Sequence, residues 1–270
     1  MPGEAKKTCW LRVTTRRMML LTLILAVLLG DRVHKARVQR QTLAALAKMN
    51  AYVLFDYQIN DKGKYDSNLT EPPGPQWLHD LIGPEFFRTV YTARISRNFL
   101  GGRDRGLDGP FLEGLSDLRG LHISHNQIAD EELSELEAMP RLLRLGLMFS
   151  VNVGDETIKR VAGMTELEEL YLNNTRVTDA GLGHLRGKKL RVLFLGDLRV
   201  SDAGLAHLAE MTTLQRLMLN GTHVTDAGLT HLYGLSNLKD LALEGTKITP
   251  EGFAKLQKAL PKTKITCSFP

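Results

Sequence analysis

The sequence predicts an α/β solenoid in which a curved parallel sheet lines a concave face and helices line the convex one, preceded by an amino-terminal hydrophobic anchor helix. Three observations carry this. An apolar pattern recurs every 23 to 28 residues from Val90 onward. The segments between its copies open on a repeated Thr/Ser-Asp helix start. The one long apolar run, Met18 to Gly30, lies between clusters of Arg and Lys.

The 270 residues are 43% hydrophobic and 24% charged, enough to bury a sizeable core. The formal charge of +5 is unevenly placed: residues 1–50 hold ten Lys/Arg against two acids, and the rest of the chain holds 25 against 28. Nucleic-acid binding needs basic side chains spread over the folded surface that meets the phosphates, so a slightly acidic folded part argues against that partner. Two cysteines at opposite ends, Cys9 and Cys267, exclude a disulfide framework and a cysteine-rich zinc site, and the closing Cys-Ser-Phe-Pro fits neither prenylation class.

Residues 1–50 read as a basic tail, an anchor at about 18–30 and a basic juxtamembrane helix. The thirteen apolar residues span roughly 20 Å as a helix, short of the ~30 Å hydrocarbon core. No small-residue cleavage site follows Leu28-Leu29-Gly30. The run therefore reads as an uncleaved signal-anchor whose flanking arginines snorkel, with a cleaved signal peptide as the alternative. Five Lys/Arg stand on each side, so the positive-inside rule ties; the free amino terminus tips the reading to a single-pass protein with its repeats outside the cytoplasm. Residues 31–49 lack Pro and Gly and read as a solvated basic helix leading away from the anchor.

Residues 51–89 read as an amino-terminal cap, because a stacked array exposes the open end of its core. They hold a strand with Val53, Phe55 and Tyr57 on one face, the turn-rich stretch from Asn60 to Pro75, and a short helix over about 76–82.

From 90 to 270 an apolar-x-x-apolar-x-apolar pattern repeats. It runs Val90/Ala93/Ile95, Leu118/Leu121/Ile123, Leu142/Leu145/Leu147, Leu167/Leu170/Leu172, Leu190/Leu193/Leu195, Leu214/Leu217/Leu219 and Leu238/Leu241/Leu243, and Ile265 with Cys267 continues the phase as an eighth strand. The linking segments start Val177-Thr178-Asp179-Ala180-Gly181-Leu182 and recur at Val200, Val224 and Ile248. Thr or Ser suits a helix N-cap, and Asp beside it suits the positive end of the helix dipole. In the last copy Pro250 replaces Asp, which a first helical position tolerates. The Asp column is thus expected to be capping chemistry rather than a calcium ladder. The turn position reads Asn126, Ser150, Thr175, Thr222 and Thr246, with Leu198 the exception.

These units resemble the leucine-rich repeat family, in particular the V-T-D-x-G-L-x-x-L units of bacterial membrane-anchored repeat proteins and, more distantly, the repeats of F-box substrate receptors. The resemblance implies a protein-binding module rather than an enzyme. A substrate-recognition role in a ubiquitin-ligase-like pathway is the alternative, although no F-box-like helical region precedes the repeats; a structural spacer without a ligand is a third reading.

Other chemistry is sparse. His184, His207 and His231 recur at one helix-surface position with no repeated carboxylate or thiol beside them, so no metal is expected. Gly101 to Gly106 lacks phosphate-loop spacing and reads as a loop. No nucleophile, zinc-protease or nucleotide motif occurs, and neither cofactor nor small-molecule substrate is expected. What remains is the outward face of the strands. Tyr171, Phe194 and Met218 fall in consecutive units beside Met148, and Arg144, Glu169, Arg216 and Asp240 rim them. Aromatic and Met side chains within a polar rim fit a site for a protein or peptide.

Overall fold

In the computed structural model, the described residues are 30–44, 46–47, 51–59, scattered positions between 65 and 80, 90–96, 117–124 and 128–269. Residues 18–29 of the expected anchor, most of the expected helix at 76–82, Asn126 and the Gly101–Gly106 loop lie outside them. Among the described residues no helix is long and apolar enough to cross a membrane.

Among the described residues nine strands form one sheet in chain order. They are β1 (Tyr52–Phe55), β2 (Val90–Ser96), β3 (Gly120–Ser124), β4 (Arg144–Gly146), β5 (Glu169–Tyr171), β6 (Val192–Phe194), β7 (Arg216–Met218), β8 (Asp240–Ala242) and β9 (Lys264–Thr266). β2 to β9 are parallel, and β1 runs antiparallel along β2 at one edge. The second leucine of each unit pairs with that of the next, as Leu145 with Leu170 and Leu170 with Leu193, so the ladder positions stack. From Val90 to Leu243 every inward position named from the sequence is at most 2% exposed, which is the burial a sheet covered on one face dictates. The repeated unit of short strand, turn and return segment is a leucine-rich repeat.

The return segments are shorter than ordinary helices: Asp179–Gly183 and Asp202–Ala206 are one turn each, and Asp130–Ala138 is a 3₁₀ helix. Ser201, Thr225 and Thr249 accept N–H bonds from their own helices as N-caps, whereas Thr178 does not. The aspartates correct the sequence reading. Each sits in the first turn of its helix, but its carboxylate binds the following repeat: Asp155 takes the N–H and hydroxyl of Thr178, Asp179 those of Ser201, Asp202 those of Thr225 and Asp226 those of Thr249. Asp130 does the same for Gly154 and Thr157. The column is therefore a hydrogen-bonded stitch between repeats. At Pro250 it stops, and no helix follows β9 among the described residues.

At the turns, Thr175, Thr222 and Thr246 donate to the carbonyls of Leu172, Leu219 and Leu243. Leu198 has no hydroxyl to do so and is buried instead. Residues 30–44 are helical and amphipathic. Arg32, Lys35, Arg37 and Arg40 are exposed, while Gln39, Thr42 and Leu46 are buried and Leu43 packs on the core. The expected stalk is thus solvated on one face only, and its far end joins Val53 and Phe55 against the first repeats.

Candidate functional site

Strict register lines up the outward side chains. Arg94, His122, Gly146, Tyr171, Phe194, Met218 and Ala242 are successive partners from β2 to β8. Parallel neighbours lie about 4.8 Å apart, close enough for rings on adjacent strands to touch. The Tyr171 and Phe194 rings meet edge to face, with centroids 4.8 Å apart and planes at 85°. This is the geometry that the ring quadrupoles favour.

Tyr171 is held from its other end as well. Its hydroxyl donates to Glu169 Oε2 at 2.6 Å. Burial, and then this bond, push its phenol pKa well above the usual tyrosine range. Phe194 is covered on a face by the Arg216 guanidinium, 5.4 Å from the ring centroid, and Arg216 Nε lies 3.8 Å from Asp240 Oδ2. Met218 is half-buried beside them, and Met148, two residues past Gly146, is half-buried too. Of the rim residues, Glu169, Arg216 and Asp240 are thus engaged with the patch or with one another. Arg144 instead stacks over Tyr91, at 5.7 Å.

His122 belongs to this row, and it is the residue missed in the patch read from the sequence. Gly146 presents no side chain between His122 and Tyr171, and the imidazole lies in the space that a Cβ there would take. It reaches Tyr171 with ring centroids 5.8 Å apart. The signal was in the sequence, since a glycine at an outward ladder position leaves room that a neighbouring ring fills. Burial, then the charges of Arg94 and Arg144, lower the His122 pKa to about 4, so the ring is neutral at pH 7. The result is one continuous row from an imidazole through a phenol and a phenyl ring to a thioether, over five repeats.

Next to the rings the surface turns polar. Gly196 lies between the side chains of Asn173 and Asn220, both of which occupy the space above it. The histidines at the helix ends behave differently: His184 is exposed, and the His207 ring lies against Gly183. Among the described residues no three His, Cys, Asp or Glu side chains converge as a metal site. Cys267 packs against the core, and burial pushes its thiol pKa up, away from a reactive thiolate.

No protein-family model matches the chain, and no curated protein matches it. Solved structures that it is similar to include an internalin C2 of Listeria monocytogenes, at 24% identity over 60% of this chain and 66% of that one, with a TM-score of 0.47. An internalin, inlF, of the same organism shares 20% identity over 60% of this chain and 57% of that one, at a TM-score of 0.43. A leucine-rich repeat protein of Leptospira interrogans shares 21% over 58% and 44%, at 0.42. The chain spans less than two thirds of each of these chains.

Proposed function

We propose that this chain is a non-enzymatic, membrane-anchored leucine-rich repeat protein that binds another protein or peptide through its concave face. The contact residues are Tyr171, Phe194, Met218 and Met148, now joined by His122, with Arg144, Glu169, Arg216 and Asp240 around them. The observation that carries this reading is the edge-to-face Tyr171–Phe194 pair, half-exposed yet fixed by Glu169 and Arg216. Rings already held in place lose little side-chain freedom on binding, which is what makes aromatic side chains effective anchors at interfaces. Capture of partners by the full chain, compared with Tyr171→Ala and Phe194→Ala, tests it. Loss of the captured protein from both variants is expected, and undiminished capture at equal yield would remove the patch as the site.

The apolar run 18–30, with Arg16 and Arg17 before it and Arg32, Lys35 and Arg37 after it, supports the anchoring half of the proposal. The helix over residues 30–44 would carry the repeats from the bilayer, outside the cytoplasm. Retention of the full chain in the membrane pellet after carbonate extraction is expected; its release would reject the anchor.

A further inference from the structure

The charges around the aromatic row are not balanced. Glu169 accepts the Tyr171 phenol, and Asp240 faces Arg216, so the carboxylates of the rim are engaged within the protein. At the other end of the row, among the described residues, neither Arg94 nor Arg144 has a carboxylate partner. Gly120, the register partner of both Thr92 and Arg144, lies on the strand between them. A Cβ there would lie 2.8 Å from Thr92 Oγ1, 3.2 Å from Thr92 Cγ2 and 3.5 Å from Arg144 Nε, so the Thr92 side chain and the Arg144 guanidinium group close over the glycine. Arg94 stands beside this point as the register partner of His122.

We infer that Arg94 and Arg144, both beside His122, bind a carboxylate, and that the partner on the aromatic row is an acidic peptide segment. Its Asp or Glu lies on the two guanidinium groups while an apolar side chain covers Tyr171 and Phe194. This rests on the concave-face reading above. Charge-assisted bonds to two guanidinium groups satisfy a carboxylate far better than they satisfy a neutral amide. The low pKa of His122, set in part by the same two arginines, leaves the positive charge on the guanidinium groups at neutral pH. From β3 to β5 and β6 is two to three strand spacings, roughly 10–14 Å, which about four residues of extended peptide cover. The acid and the apolar residue are therefore expected at i and i+4, on one side of the peptide.

Panning a random peptide display library on the immobilised full chain, then measuring the selected peptides by fluorescence anisotropy, tests this. Expected are peptides with Asp or Glu four residues from a Leu, Phe or Met. Their affinity should fall with added NaCl and drop about tenfold or more both in Arg94→Gln/Arg144→Gln and in Tyr171→Ala/Phe194→Ala. Peptides that lose affinity only in the Tyr171/Phe194 variant, or that bind the parent independently of NaCl, would overturn the carboxylate site and leave the aromatic site standing. Peptides indifferent to both variants, or no selected peptides at all, would overturn the concave-face reading and this inference with it.

Discussion

The carboxylate of Asp202 takes both hydrogens that Thr225, the cap residue of the next repeat, offers: the backbone N–H at 2.8 Å and the hydroxyl at 2.6 Å. The same carboxylate fills the space above Gly228, where any Cβ would collide with it. Asp155 stands in this relation to Gly181, Asp179 to Gly204 and Asp226 to Gly252. Asp in one unit and Gly in the next are thus one device. The motif Thr-Asp-Ala-Gly reads as a local helix start only until a neighbouring repeat is stacked on it.

Removing either half of the device is expected to loosen the array. Asp202→Ala leaves two donors of Thr225 without their charged acceptor, a loss of about 1.5–3 kcal/mol. Gly228→Ala forces the carboxylate aside and should cost about 1–3 kcal/mol. Gly234→Ala, where a Cβ meets nothing within 4 Å, is the control and should change stability little. Urea melts followed by circular dichroism compare the three. Equal midpoints for Gly228→Ala and Gly234→Ala would reject the coupling.

His122 links stability to pH. Its pKa is about 4 in the folded protein against 6.5 for the free side chain, so between those values the unfolded chain holds the extra proton. The contribution is therefore complete above pH 6.5, is lost as pH falls toward 4, and changes no further below that. An NMR titration of the imidazole should give a midpoint near 4, and His122→Gln should flatten the fall in stability over this window. A midpoint near 6.5 would show that the ring is not held as described.

One turn carries strain that its counterparts avoid. Phe149, Asn174, Asp197, Gly221 and Gly245 occupy the same place in successive units, all at φ between 58° and 69°. Asn, Asp and Gly tolerate this left-handed conformation, whereas other L-residues pay roughly 1–2 kcal/mol. Phe149→Asn is expected to raise stability by about 0.5–1 kcal/mol, read as a higher melting temperature. A lower one would mean that the ring's contacts outweigh the strain.

The ladder of buried leucines is the most sensitive part of the molecule. Leu193 is 0% exposed between Leu170 and Leu217, and an unpaired carboxylate there has no route to water. Leu193→Asp should abolish the cooperative melt, while Arg191→Asp, on an exposed position two residues earlier, should leave it in place. A cooperatively melting Leu193→Asp variant would refute the register.

Some of this protein was legible in one dimension. An apolar period of 23 to 25 residues, with alternate strand positions buried, admits one solution: stack the units and hide one face, which is why Leu121 through Leu241 could be placed inward without coordinates. The hydroxyls at the caps and turns were readable for the same reason, since their bonds to Ala203 and Leu219 stay within one unit. The partners of the aspartates and the burial of the basic helix on the core were not, and the place of His122 was marked only by the glycine opposite it. Each depends on a contact between segments more than about twenty residues apart, or on the room left by a glycine on a neighbouring strand. Local pattern records which face a side chain takes, but only packing decides what it meets there.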